Sequence, residues 1–438
     1  MEVFFVSNEL TLAKELINLL DECPSPFHVV ERVEKDLIKE GFKKLDSKEK
    51  WEIKKGGKYF VTKNKSALIA FVVGKGEIEE DGFRLIGAHT DSPTFRVKPN
   101  PEMVIENNYL KLNTEVYGGP ILNTWFDRPL SLAGRVAVRS ENPIKPDYKL
   151  LNIDKPIMII PNLAVHMNRK VNEGVKINAQ TQSLPLLAMV NEEFEKDNYL
   201  LKVISKNLGI IKEDILDFDL FLYEYEKGNI IGLNNEFISS GRLDDLSMVH
   251  AGIKALVKSE VSNSTNIMVC FDNEEVGSMT KQGAASPMLK TILERITFAL
   301  GKDREDFFRG LYNSFMVSAD AAHGVHPNYT EQHDPTNRPI INKGPAIKIS
   351  ANQSYTSDSF SSTVYENICK AADVPVQRFV NRSDKRGGST IGPISSSQLD
   401  IPSVDIGNPL LAMHSIRELG GVMDHYYVYK SFLKFYEI

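Results

Sequence analysis

The chain is predicted to be an α/β protein, a mostly parallel sheet flanked by helices with an inserted β-rich second domain, on three observations. Near the start, apolar strand-like runs mix with segments of helical period. From about residue 93 to 236 the texture becomes alternating and turn-rich, as in antiparallel β structure. The strand–helix rhythm then returns, and strands that alternate with helices pair in parallel with helices on both faces. The boundaries give a main domain from residues 1–92 and 237–438, and an inserted domain at 93–236.

Each element has its own signal. Leu12, Leu16, Leu19 and Leu20 recur at helical spacing. The start, MEVFFVSNELTLAKELINLL, is broken by Glu9, Lys14, Glu15 and Asn18 and lacks a cationic leader and cleavage site, so it reads as an amphipathic helix. Ser66–Gly74 (SALIAFVVG) and Phe83–His89 (FRLIGAH) read as buried strands. In the inserted stretch NYLKLNTEVYGG, SLAGRVAVRS, PIMIIPN and DFDLFLYEYEKG alternate as strands, with one helix expected around LPLLAMVNEEFEK. After Ser240 come a helix from Asp245, with a buried stripe of Leu246, Val249, Ile253, Leu256 and Val257, then strand NIMVCF and helix SPMLKTILERITFAL. Strand SFMVSA, helix DSFSSTVYENICKAA, strands VQRFVN and IPSVDIG, and a closing helix from Asp424 complete the order.

Composition narrows the function. The chain has 438 residues, 42% hydrophobic and 25% charged, as in a folded globular protein with an ample core. A net charge of -6 without basic runs argues against nucleic-acid and anionic-membrane partners and favours small or peptide substrates. No run is long enough to span a bilayer. Cys23, Cys270 and Cys369 are isolated and lack C-x-x-C spacing, which fits a reducing cytoplasm and no disulfide framework.

Five polar stretches carry the chemistry: GAHTDSP (Gly87–Pro93), GRLDD (Gly241–Asp245), DNEEVGS (Asp272–Ser278), SADAAHGVHP (Ser318–Pro327) and AMHSIRE (Ala412–Glu418). His89, Glu274, Glu275, Asp320 and His414 follow predicted strands, where the loops of an open α/β sheet converge; Asp244 opens a helix. Singly these are weak signals, since a lone histidine is usually structural and an aspartate before a helix is usually a cap. Jointly they match two divalent metal ions, which need one shared carboxylate and further nitrogen and oxygen ligands. Asp244 is assigned as the bridge, His89 and Asp320 to one ion, and Glu275 and His414 to the other. Asp91 is placed to hold the second nitrogen of His89, against its plainer reading as a turn cap before Ser92 and Pro93. Glu274, left over beside its ligating neighbour, suits a general base that takes a proton from water. Zinc, cobalt and manganese all accept this donor mix.

These residues resemble the aspartyl aminopeptidases, cytosolic metallopeptidases with two zinc ions. The resemblance spans nearly the whole chain and rests on GAHTDSP with Lys98 and Pro99 beyond, YGG with TWFDR and LSLAGRV, VHMNRKVNEG, GRLDD, FDNEEVGS, SADAAHGVHPNY, KGPAIKIS, GGSTIGPI and AMHSIRE, in family order. It implies the same five zinc ligands and Glu274 as base, with residues 1–92 and 237–438 as the catalytic domain and 93–236 making dimer contacts. It further implies that His166 reaches a neighbouring subunit's active site, that His326 and Lys348 contact substrate, and that a non-proline cis peptide joins Asp244 to Asp245. His28, His250, His323, His333 and His425 are read as structural.

Relatives of this kind form hollow dodecamers built from dimers and remove N-terminal residues from peptides, many preferring Asp or Glu, so a homo-oligomer with that activity is implied. A cationic pocket is the physical requirement for an acidic preference, and His326 with Lys348 would supply it. Other relatives prefer neutral residues such as Leu. The chain departs from the pattern at Lys385 and Arg386, ahead of GGSTIGPI, and at Pro120 and Pro129. Two further readings compete. A dinuclear phosphoesterase would use similar ligands, but the Gly388–Gly392 loop lacks the lysine of a phosphate-binding loop. A non-catalytic shell-forming scaffold would have lost a ligand or the base, and none is missing.

Overall fold

The computed structural model describes residues 7–190 and 198–438. The chain divides into two compact units, one formed by residues 1–91, 228–413 and 418–438 and the other by residues 92–227 and 414–417.

The first unit is built on a nine-stranded sheet in the order Lys43–Lys44, Lys58–Lys63, Ala67–Val72, Thr265–Phe271, Phe83–His89, Phe315–Ala319, Ser403–Gly407, Ala346–Ile349 and Gln377–Val380. Five of its eight pairings are parallel, including the run from Thr265–Phe271 through Phe83–His89 and Phe315–Ala319 to Ser403–Gly407. Those four strands therefore end on the same side, and three of their ends carry candidate site residues in or just after the strand. The remaining three pairings, made by Ala67–Val72 with each neighbour and by Ala346–Ile349 with Ser403–Gly407, are antiparallel.

The central strands Ala67–Val72, Thr265–Phe271, Phe315–Ala319 and Ser403–Gly407 are buried along their whole length because both faces are covered. Successive residues alternate between two cores: Ile86 and Ala88 join Met268 and Cys270 in one, while Leu85 joins Ile267, Val269 and Phe271 in the other. Helices Asn8–Glu22, Leu243–Lys258 and Val422–Tyr436 contribute to the first core, and Met288–Ala299 and Arg304–Tyr312 to the second. Helix Leu243–Lys258 buries nearly every residue from Leu243 to Leu256, since it lies inside the unit rather than on its surface. Gly252 permits this packing: a Cβ there would meet the Met268 sulfur at 2.4 Å. A small five-stranded sheet, ordered Asn229–Ile231, Phe237–Ser240, Glu418–Gly421, Pro409–Leu411 and Ala322–His323, completes the unit.

The second unit is a six-stranded antiparallel sheet in the order Asp147–Asn152, Leu130–Val138, Ile215–Glu224, Thr94–Ile105, Tyr109–Tyr117 and Leu186–Met189. Its core includes Phe95, Leu112, Trp125, Leu132, Leu220 and Ile416. The helix expected around LPLLAMVNEEFEK is corrected here, because Leu186–Met189 is an edge strand paired with Tyr109–Lys111. Four residues whose spacing suits a helix can be drawn into a waiting sheet edge, and tertiary pairing then overrides local preference. The rest of that expectation from residue 191 to 196, and the first six residues of the expected N-terminal helix, lie outside the described residues. The helix itself runs from Asn8 to Glu22 and buries Leu12, Leu16, Leu19 and Leu20.

Candidate metal centre

His89 is the last residue of the Phe83–His89 strand and is buried. The strand end is stapled to its neighbour by Thr90, whose backbone N–H donates to the Phe271 carbonyl at 2.8 Å and whose hydroxyl donates to the Ser66 carbonyl at 2.7 Å. The His89 backbone N–H donates to Asp245 Oδ2 at 3.1 Å. On the ring, Nε2 lies 3.5 Å from Asp244 Oδ1 and 3.9 Å from Asp320 Oδ1. Nδ1 lies 3.0 Å from the Asp91 carbonyl oxygen and 3.4 Å from its Oδ1.

Asp91 has a second task that its position in the sequence does not reveal. Its Oδ1 accepts the backbone N–H of Glu274 at 3.1 Å and its Oδ2 that of Glu275 at 3.2 Å. The turn bearing both glutamates is a short 3-10 segment, Glu274–Val276, entered through Asn273 at φ 64° and left through Gly277 at φ 95°. Thr280 Oγ1 and Gln282 Nε2 both donate to Asn273 Oδ1, at 2.9 and 2.7 Å, so the turn is tied from outside as well.

Asp244 and Asp245 stand in the first turn of the Leu243–Lys258 helix with non-helical backbone angles, and the peptide bond between them is cis. The Asp244 N–H donates to buried Glu418 Oε2 at 3.1 Å. Asp320 follows the Phe315–Ala319 strand; its N–H donates to the Ile406 carbonyl at 3.0 Å, and its Oδ2 lies 3.3 Å from Lys348 Nζ. Lys348, on the Ala346–Ile349 strand, is buried and also donates to the Ala321 carbonyl at 2.8 Å.

The ligand-type atoms of His89, Asp244, Asp245 and Asp320 lie within 4.8 Å of one another, as do those of His89, Glu274 and Glu275. Burial pushes the Glu274 carboxyl up to about 8 and Asp320 up to about 6, with neighbouring carboxylates adding to the rise, and burial likewise drives Glu275 and Asp245 well above their ordinary range. For His89 burial opposes charge, yet Asp245, Asp244 and Asp91 outweigh it and hold the imidazole well above its usual value. So many carboxylates out of water repel one another and lose hydration, and bound cations are the standard remedy. The donor set, an imidazole among carboxylates, is one that zinc accepts. It therefore fits the divalent metal that the sequence implied.

The remaining predicted site residues are His326, in the first unit, and His414 and His166. His326 is half-buried; its Nδ1 accepts the Asn328 N–H at 3.2 Å and its own N–H donates to His333 Nε2 at 3.1 Å. His414 and His166 belong to the second unit. His414 Nδ1 lies 3.1 Å from the Gly119 carbonyl oxygen, its own carbonyl accepts the Ile121 N–H at 2.9 Å, and Ile416 N–H donates to Thr124 Oγ1 at 3.0 Å. His166 is exposed, in a stretch where Leu163, Val165 and Met167 are exposed too. Sequence reasoning missed Asp245, Glu418 and the Lys348–Asp320 pair. The doubled aspartate of GRLDD and the final glutamate of AMHSIRE were the available signals for the first two.

Comparison with known proteins defines the class. A family model for aminopeptidase I zinc metalloproteases, M18, matches residues 19–436. The chain is 64% identical over 433 residues to a probable M18 family aminopeptidase 2 of Clostridium novyi (strain NT), covering 99% of this chain and 100% of that one. It superposes on a chain of the Ape4 and Nbr1 complex, solved by cryo-EM, with a TM-score of 0.94 and 37% identity, over 100% of this chain and 87% of that one. The S. cerevisiae mApe1 dodecamer is similar as well, with a TM-score of 0.85, 28% identity and coverage of 97% and 96%. The chain belongs to the M18 family of zinc metalloprotease aminopeptidases. No helix among the described residues is long and apolar enough to cross a membrane.

Proposed function

We propose that this protein removes N-terminal residues from peptides with two divalent cations, zinc foremost and cobalt or manganese as substitutes, and with Glu274 as general base. The observation that carries the reading is the group of one buried imidazole and several buried or half-buried carboxylates, with Glu274 among them. Bound cations polarise the scissile carbonyl and acidify water. His89 and Asp320 would hold one ion, Glu275 and His414 the other, with Asp244 shared. Asp91 fixes the backbone of both glutamates, so Glu274 keeps a set position from which to accept a proton from the attacking water and pass it to the leaving amine. Replacement by Gln preserves shape and removes the base. Glu274→Gln is expected to bind zinc like the parent and to lose about 10²- to 10⁴-fold in turnover; near-parental turnover in a zinc-loaded sample would reject the assignment.

An acidic first residue is the leading substrate, with His326 and Lys348 as the cationic contacts and a neutral preference such as Leu as the alternative. Residues 93–236 act as the dimerisation domain, and the exposed apolar stretch around His166 supports a contact of that kind. Assembly into a dodecamer from dimers follows the similar S. cerevisiae mApe1 dodecamer. The buried free thiols of Cys23, Cys270 and Cys369 accord with a cytoplasmic setting.

A further inference from the structure

Asp245 has no part in the mechanism above, yet it is as deeply buried as any residue of the site, at 0% exposure. Its Oδ2 accepts the His89 N–H, whereas its Oδ1 has no hydrogen-bond partner among the described residues. A buried carboxylate oxygen without a donor costs free energy unless a positive charge stands nearby. An asparagine of the same shape would accept the His89 N–H equally well, so shape and that hydrogen bond do not account for an acid here. What the acid adds is charge, in a group whose ligand-type atom lies within 4.8 Å of those of His89, Asp244 and Asp320.

We propose that Asp245 is a positioning and charge-supplying residue of the first cation site. One oxygen ties the end of the His89 strand to the turn that carries Asp244, so two ligands are set relative to each other; the other oxygen lends a further negative charge to the ion they hold with Asp320. The inference rests on the two-ion reading. Outer carboxylates that orient metal ligands typically change metal affinity by about 10- to 100-fold when removed.

The test is zinc competition against a chelating dye for the parent, Asp245→Asn, Asp245→Ala and Asp320→Asn, with the melting temperature of each metal-free protein. Asp245→Asn is expected to weaken zinc binding by about 10- to 100-fold while leaving the metal-free melting temperature unchanged or higher, because a neutral group of the same shape keeps the His89 tether and carries no buried acid. Asp245→Ala, which also loses the His89 tether, is expected to bind zinc more weakly still. Parental affinity in Asp245→Asn overturns the proposal, and so does weakened binding accompanied by a lower metal-free melting temperature, which marks a purely structural residue. If Asp320→Asn also keeps parental affinity, the two-ion reading falls; if it loses zinc and Asp245→Asn does not, only the role of Asp245 falls.

Discussion

Lys348 poses the sharpest question at the scale of single residues. Burial works against its charge, but Asp320 leads the groups that outweigh burial and hold the ammonium above its usual range. It also sits 5.2 Å from the centroid of the Tyr355 ring. An ammonium fixed in this way can prop Asp320, receive an acidic side chain, or do both. If it reads the substrate, Lys348→Met should lower kcat/KM on Asp and Glu substrates about tenfold more than on Leu, Lys and Ala substrates, the scale of one charge-assisted hydrogen bond. Equal losses across the five would remove it from recognition. The sequence points to His89, Glu274, Glu275 and Asp320 because each comes at or just beyond an apolar strand, a signal that needs no tertiary information. Asp245 escapes notice since an aspartate opening a helix looks like a cap, and the pairing of Lys348 with Asp320 joins strands that are not neighbours in the chain.

Among the elements, the end of the Ser403–Gly407 strand presses closely on the Asp320 backbone. A Cβ at Gly407 would lie 2.2 Å from the Asp320 carbonyl oxygen and 2.7 Å from the Ala322 nitrogen, so only glycine lets the two segments approach this far. Gly407→Ala is expected to shift Asp320, to destabilise the protein by about 1–3 kcal/mol as overpacked sites do, and to lower zinc content after dialysis. Parental melting temperature and zinc content together would show that the backbone relaxes without consequence. Strands such as Thr265–Phe271 are legible because burial on both faces makes an apolar run, here from Ile267 to Phe271. The antiparallel direction of Ala67–Val72 and Ala346–Ile349 is not, for an apolar run carries no sign of its heading. The strand Leu186–Met189 is hidden for a related reason: the edge it completes lies more than seventy residues earlier in the chain.

For the molecule as a whole, the buried titratable groups dictate how stability responds to pH. Burial first of all raises Asp320 to about 6, Asp272 and Asp424 to about 7, and Glu274 to about 8. Each of these groups binds its proton more tightly folded than unfolded, so stability in the metal-free protein is lost as pH rises through those values. Burial lowers His28 to about 4 and His425 to about 3, and these neutral histidines act in the opposite sense, withdrawing stability as pH falls below 6.5. The metal-free protein is thus expected to be more stable at pH 6 than at pH 8, each proton contributing about 1.4 kcal/mol per pH unit. Zinc loading should remove the share of that loss owed to its ligands, Asp320 among them, since ligands must be deprotonated to bind, and leave the share owed to Asp272 and Asp424. Urea midpoints at pH 6 and 8, with and without zinc, check this, and a metal-free protein that is firmer at pH 8 would contradict it.

The chain returns to its second unit for only four residues, 414–417, long after residues 92–227 have been laid down. Ile416 is buried in that unit's core, and Arg417 is clasped by Glu224, itself shared with Arg128. Anyone splicing residue 91 directly to 228 to obtain a minimal enzyme would leave this tetrapeptide, with its histidine, without its seat. The insertion is therefore no detachable cassette, and grafting it between relatives requires moving both pieces together.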